Sequence, residues 1–444
     1  MQRRQTRTRP DQASGEQRAV HEGGVSRALL INAAQVLAAV LAFEHPADSV
    51  LSRHFREHRE IGHRDRGFIA ETVYGIVRRL RWLRRLVGDD AAPRALLLGW
   101  LARAEAWPMR RFEGLVSADE RDWLATVKAR QLDQGSLAER ADMPDWLVER
   151  LLESHGEDGV VALAHSLNRA APLDLRVNGL KTTRDEVLAA LRASGVEASA
   201  CPLSPLGIRL GGKPALQRHP LYLAGDFEVQ DEGSQLLGFL VQPRRGELVV
   251  DFCAGAGGKT LQLGAMMRSS GRLYAFDVSE KRLAKLKPRV ARAGLSNVHP
   301  VLIAHERDAK VKRLVGKADR VLVDAPCSGL GTLRRNPDLK WRQSPAALAE
   351  MCAKQHAILE SAARLVKPGG RLVYATCSLL RDENDEIVDA FLAGHAEFRE
   401  VGASGILRKQ DIDVDTGMRL RLSPERFDTD GFFAAVLERA SDHA

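Results

Sequence analysis

The stretch Leu248-Val249-Val250-Asp251-Phe252-Cys253-Ala254-Gly255-Ala256-Gly257-Gly258-Lys259-Thr260 decides the fold. An apolar run of strand length closes on an acid, and Gly255, Gly257 and Gly258 then lead into a helical segment. This is the strand–turn–helix corner of a βαβ unit, where glycines let the backbone approach a ligand closely. The same alternation continues downstream. Strands are expected over 248–252, 273–276, 298–303, 320–323, 371–375 and 431–437. Helical segments fill the gaps, for example 345–366, stopped by Pro368-Gly369-Gly370. Such alternation implies an α/β fold, a mostly parallel sheet with helices on both faces and ligands at the carboxyl ends of the strands. The glycine turn, Asp277, Asp324, Cys327 and Cys377 all fall at such ends.

Working upstream, 444 residues exceed one ordinary core, so two or three domains are expected. Residues 1–24 are polar and read as a disordered basic tail without the apolar region of a signal peptide. Residues 25–142 carry apolar side chains at helical spacing, as in Ala33, Val36, Leu37, Val40 and Leu41, and read as an all-helical domain. Its most apolar run, 28–43, is short for a membrane span and holds Asn32 and Gln35, so a buried helix is expected and no membrane association. The cluster Arg78, Arg79, Arg81, Arg84 and Arg85 reads either as a phosphate grip or as a solvated helix face. Met143-Pro144-Asp145-Trp146 opens a connector, and residues 143–245 hold a small α+β subdomain with strands at 173–178 and 207–210 and a helix at 183–193. The main domain occupies 246–442.

A net charge of +8 and a pI near 9.4 suit a chain that meets polyanions. The five cysteines lack metal-ligand or disulfide-framework spacing and read as reduced thiols in a cytoplasmic protein. No histidine pair has zinc spacing, so no metal is expected. Cys201, Cys352 and Cys253 read as inert buried thiols.

The glycine turn narrows the ligand by what it lacks. A phosphate-cradling P-loop needs glycine where Cys253 stands, and a dinucleotide fingerprint needs glycine where Thr260 stands. The turn fits S-adenosylmethionine (SAM), whose adenosine carries no phosphate, with Asp277 set to accept ribose hydroxyls. Two thiols on the same sheet edge, Cys327 and Cys377, suggest covalent chemistry on an electrophile. Ser328 to Pro337 reads as a flexible basic loop after the first thiol, and Lys340-Trp341-Arg342 as an aromatic between cations, suited to stacking a base.

Asp324-Ala325-Pro326-Cys327-Ser328-Gly329-Leu330-Gly331, Ala375-Thr376-Cys377-Ser378 and the turn Cys253 to Lys259 together resemble the RsmB/NOP family of RNA cytosine-carbon-5 methyltransferases. The resemblance covers about 230–440, including Asp430-Gly431-Phe432-Phe433-Ala434. Arg64-Asp65-Arg66-Gly67-Phe68 and Val73-Tyr74-Gly75-Ile76-Val77-Arg78 resemble the NusB-like RNA-binding domain of the bacterial 16S ribosomal RNA members. The resemblance implies a Rossmann-like class I SAM-dependent methyltransferase domain, preceded by an RRM-like subdomain and a NusB-like domain. It implies that Cys377 attacks cytosine carbon 6, that Cys327 assists loss of the carbon 5 proton and enzyme release, and that Asp324 holds the base near ring nitrogen 3. Lys259 would support the site. SAM would be held by Cys253, Ala254, Gly255, Ala256, Gly257, Gly258, Lys259, Asp277 and Asp324, with Asp308 as the acid near the adenine, although the spacing around Asp308 departs from the family's. Ala256 stands where many members have proline, with no loss expected. The implied substrate is RNA, 16S ribosomal RNA first and transfer RNA second, acted on by a monomer. A non-catalytic ribosome-assembly factor is the alternative from another class.

Overall fold

The structure, a computed structural model, describes residues 24–441. The tail expected over 1–24 therefore lies, but for Gly24, outside the described residues.

Hydroxyl caps fix where several helices begin. Ser26 accepts from the Leu29 N–H, and Ser117, Ser136 and Thr183 each form a reciprocal box with Glu120, Glu139 and Glu186. Each such cap is worth roughly 1 kcal/mol. Helices Arg27–Leu41, Ala47–Glu57, His63–Arg78, Leu80–Val87, Pro93–Arg103 and Ala118–Ala129 bury their apolar stripes together, with Leu30, Leu37, Ile69, Ile76, Leu80 and Leu97 inaccessible to solvent. Gly75 permits the closest approach; a Cβ there would lie 2.4 Å from the Trp100 ring.

A four-stranded antiparallel sheet follows, in the order β2-β3-β1-β4, from β1 (Leu173–Val177), β2 (Ala198–Ala200), β3 (Gly207–Leu210) and β4 (Phe227–Val229). Helix Arg184–Ala193 seals its apolar side through Val187 and Leu191 against Leu175, Val177, Ile208 and Phe227. Two of these strands, β2 and β4, span only three residues, too short to show a period of two.

The large sheet contains β5 (Leu248–Asp251), β6 (Arg272–Asp277), β7 (Val298–Leu302), β8 (Ala318–Asp324), β9 (Val366–Thr376), β10 (Phe398–Val401), β11 (Leu420–Leu422) and β12 (Phe432–Arg439). Its order is β10-β12-β9-β8-β5-β6-β7, with β11 paired to β12. β5 pairs in parallel with both β6 and β8, so the chain winds outward to β7 and then returns to the other side of β5. That reversal opens a crevice at the carboxyl ends of β5 and β8. Successive residues point to opposite cores. Val250, Val323 and Tyr374 pack on one face, while Val249, Leu322 and Val373 pack on the other, which is why these strands read as unbroken apolar runs. The β9 boundary differs from the sequence expectation. Pro368-Gly369-Gly370 does not precede the strand but lies within it, where a register shift against Ala318 and Arg320 accommodates the missing proline N–H.

The front domain is joined to the catalytic sheet by residues expected to touch RNA. Lys340 is 1% exposed, and its ammonium donates to the Arg78 carbonyl at 2.8 Å and to Asn168 Oδ1 at 3.2 Å. Burial pulls its pKa down to about 8, against the attraction of Asp142. The Trp341 indole donates to the Val77 carbonyl at 2.8 Å and packs on the helical core. This aromatic is a latch between domains, not a free stacking platform. Four of the five clustered arginines are likewise engaged. Arg78 donates to the Arg334 carbonyl, Arg79 pairs with Asp142, Arg81 with Asp145, and Arg85 with Asp133 and Glu139. These four are tied to partners inside the chain, while the Arg79 side chain stays 42% exposed.

Candidate active site

The turn after β5 is shaped by two glycines in left-handed conformation, Gly255 at φ 57° and Gly257 at φ 87°. A Cβ on Gly257 would lie 2.0 Å from Leu286 Cδ1, so the turn can lie against helix Glu280–Ala293 only without a side chain there. The Gly255 N–H donates to Asp277 Oδ2 at 2.8 Å; Asp277 also accepts from the Ser279 N–H and pairs with Arg282 at 3.0 Å. Beneath the turn, Thr260 Oγ1 donates to Asp251 Oδ2 at 2.6 Å. Burial pushes the Asp251 carboxyl up to about 7; the Thr260 hydrogen bond opposes this and the charge of Asp324 adds to it.

At the end of β8, Asp324 Oδ2 receives the Lys259 ammonium at 2.7 Å. Burial alone would lower the Lys259 pKa, but the charge and hydrogen bond of Asp324, followed by Cys377 and Asp251, outweigh it and hold the group above its ordinary value. Cys327 and Cys377, separated by fifty positions in the chain, bring their sulfurs to 3.3 Å. The hydrogen bond to Cys377, then burial, then the charge of Cys377 push the Cys327 thiol well up, so Cys327 holds its proton in the resting site. Burial also pushes up Cys253, which lines the cavity, and Cys201, while Cys352 rises to about 11.

Backbone bonds clamp the two cysteine loops. The Gly331 N–H donates to the Cys377 carbonyl and the Gly431 N–H to the Gly331 carbonyl, both at 2.8 Å. Sequence reasoning missed the main support, Glu383. This fully buried carboxylate accepts from the Ser328 N–H at 2.7 Å, the Ser328 hydroxyl at 2.5 Å and Gln355 Nε2 at 2.9 Å. Its only signal was an acid six residues past Cys377 in an otherwise ordinary loop. Glu383→Ala would leave these buried donors unpaired, at a cost of about 1–3 kcal/mol each before relaxation. A lowered melting temperature with a fall in kcat is the expected result; an unchanged kcat would show that the loop holds its shape without Glu383. The basic stretch after Cys327 is fixed, contrary to the flexible loop expected. Arg334 pairs with Asp428, and Arg335 bridges Asp231 at 2.9 Å and Asp430 at 2.6 Å.

A cavity of about 690 Å³ opens beside these groups, within the range of small-molecule sites. Asp251 to Ala256, Gly258, Lys259, Asp277, Asp324, Cys327 and Cys377 line it, so the structure brings the expected cofactor turn, two acids and both thiols to one space. Gly257 sits behind, against Leu286. Asp308 does not reach this wall. Its side chain caps helix Ala309–Lys312, accepting from the Ala304 and Lys310 N–H groups, and Ile303, Ala304, His305 and Glu306 face the cavity in its place. Gln230 and Ser234 close the end nearest Gly258, and neither was singled out from sequence. Away from the cavity, Asp174, Cys201 and Glu232 cluster among the described residues, with the guanidinium of Arg209 paired to both acids.

Residues 238–438 match the family model described as 16S rRNA methyltransferase RsmB/F, and residues 143–217 match the ferredoxin-like domain model of RsmF/B-like methyltransferases. A Synechocystis protein named "Probable ribosomal RNA small subunit methyltransferase B" is 34% identical over 409 residues, which covers 85% of this chain and 92% of that one. The chain belongs to the RsmB/F family. It is a SAM-dependent RNA methyltransferase with a Rossmann-like catalytic domain. The Sodalis glossinidius ribosomal RNA small subunit methyltransferase B is 31% identical over 85% of this chain and 90% of its own length. The crystal structure of PH0851 superposes with a TM-score of 0.76 at 27% identity, over 94% of this chain and 99% of that one. For this RsmB/F member the cavity fits SAM. The backbone at Gly255 leaves open space, and Asp277 and both thiols line the same cavity.

Proposed function

We propose that this RsmB/F protein methylates carbon 5 of a cytosine in 16S ribosomal RNA through a covalent bond from Cys377 to carbon 6. The observation that carries the reading is the pair of sulfurs 3.3 Å apart, beside the Lys259–Asp324 pair and on the edge of the cofactor cavity. Cytosine carbon 5 is a poor nucleophile until a group adds at carbon 6, and a thiolate is a competent group for that addition. Asp324 then accepts from the exocyclic amine of the cytosine edge beside ring nitrogen 3 and holds the base in place for the attack. SAM, when bound, supplies the electrophilic methyl group that carbon 5 takes. Loss of the carbon 5 proton restores the ring double bond and expels Cys377, a step assigned to Cys327.

The base must leave its stack, which costs a few kcal/mol and favours single-stranded or loosely folded RNA. The helical domain, read as NusB-like, and the small antiparallel sheet, read as RRM-like, would hold that RNA. The test is transfer from labelled SAM to 16S ribosomal RNA, followed by nuclease digestion and nucleoside chromatography. Label in 5-methylcytidine is expected. Label in a base methylated on an exocyclic amine would overturn the assignment.

A further inference from the structure

The glycine turn is held from behind by two arginines that the reaction does not use. Arg176 on β1 is 4% exposed, and its Nη1 donates to the Gly258 carbonyl at 2.6 Å and to Gln230 Oε1. Arg289 donates to the Ala256 carbonyl at 2.6 Å. Glu228, opposite Arg176 across the strand pair, has its carboxylate taken by Arg289 at 2.9 Å and by Arg292. Arg176 therefore lacks a carboxylate at hydrogen-bond distance. Burial draws its pKa down to about 10 despite the charge of Glu228. A guanidinium kept dry beside carbonyl oxygens alone is costly unless its geometry serves something.

Its second acceptor explains the arrangement. A free glutamine amide can rotate and present either oxygen or nitrogen to a ligand. Here the oxygen is held by Arg176, so the nitrogen must face the other way, where one hydrogen reaches Ser234 Oγ at 3.1 Å. Gln230 and Ser234 both line the cofactor cavity, at the end formed by Gly258 and Lys259. Helix Gly258–Met266 also begins there with no side-chain cap and adds the positive end of its dipole, while the start of helix Glu232–Val241 is capped by Asp231. Donors and positive potential thus converge on one end of the cavity, and the SAM group that matches them is the carboxylate of its methionine portion.

We propose that Arg176 is a positioning residue that locks Gln230 as a hydrogen-bond donor to the SAM carboxylate, tying the small antiparallel sheet to the cofactor turn. This rests on SAM being the cofactor and is independent of which base is methylated. The experiment measures equilibrium binding of SAM and of decarboxylated SAM, without RNA, to full-length wild type, Arg176→Met, Arg176→Lys, Gln230→Met and the Arg176→Met/Gln230→Met double variant, with melting temperatures alongside. Gln230→Met is expected to weaken SAM about tenfold, the scale of one charge-assisted hydrogen bond, and to leave decarboxylated SAM unaffected. Arg176→Met should do the same, Arg176→Lys should recover part of the loss, and the double variant should be no weaker than the worse single one. Two results would overturn the proposal: equal weakening toward both ligands, or singles that multiply in the double variant. If Arg176→Met fails to fold, Gln230→Met and Arg176→Lys still decide it, because wild-type preference for the carboxylate in Gln230→Met refutes it. Intact SAM binding with a raised KM for RNA would assign Gln230 to the base and also refute it. Failure of wild type to bind SAM would instead remove the cofactor reading itself.

Discussion

Replacing Cys377 by alanine is expected to lower methyl transfer by about 10⁴-fold or more, with SAM binding and melting temperature close to wild type. The magnitude follows from what is removed. Without a bond at carbon 6, carbon 5 keeps its aromatic character, and no other side chain at the site can supply the missing nucleophile. Lys259 is committed to Asp324 at 2.7 Å, and Cys253, half-buried in the cavity wall, has its thiol pushed well up. Cys327 stands only 3.3 Å away, yet in the resting site it holds its proton. Four powers of ten correspond to about 5.4 kcal/mol of barrier, within what loss of a covalent pathway can cost. The fold should barely respond, because the substitution removes one sulfur from a half-buried position while backbone bonds hold the loop, such as that from the Gly331 N–H to the Cys377 carbonyl. Single-turnover transfer from labelled SAM to 16S ribosomal RNA measures it. Activity within tenfold of wild type would show that Cys377 is not the nucleophile.

The sulfur pair shows what can be read from a sequence and what cannot. Each cysteine ends an apolar run, and a parallel sheet sends all such ends to one edge, so their neighbourhood was legible before any coordinates. Asp277 and Asp324 were legible for the same reason. Residues whose role depends on a contact across domains were not. Lys340-Trp341-Arg342 has the composition of a base-stacking site, yet Trp341 is spent on the Val77 carbonyl and Lys340 on that of Arg78. Composition cannot tell a cation facing solvent from one facing a carbonyl in another domain. Asp308 has the right chemistry and order in the chain, but a carboxylate just ahead of a helix finds its own backbone N–H groups first. Glu383 escaped notice for the opposite reason. Its partners, Ser328 and Gln355, precede it by 55 and 28 positions, and no local pattern marks a buried acid that answers to distant donors. The short strands β10 and β11 went unread because three or four residues carry too little periodicity.

Cys327→Ala is expected to accumulate a covalent complex of protein and RNA and to lose multiple turnover by about 10²–10⁴-fold, the span of a lost general base. The resting site makes Cys327 a poor base, and the causes of that state explain how it would become a better one. Its thiol is pushed up first by the hydrogen bond to Cys377, then by burial, then by the charge of Cys377. Once Cys377 is bonded to carbon 6, its sulfur carries no negative charge and is a weak acceptor, so two of those three causes vanish together. With those two causes gone, Cys327 can release its own proton to solvent and, as the thiolate, take the proton that must leave carbon 5. With alanine in place of Cys327 that proton stays, the ring double bond cannot reform, and Cys377 has no route off the base. The complex should run as a slow band on a denaturing gel, carry label from SAM, disappear on protease treatment and be absent from the Cys327→Ala/Cys377→Ala double variant. Methylated RNA released at the wild-type rate, with no band, would sink this division of labour. A band in Cys377→Ala that is missing from Cys327→Ala would reverse the two roles.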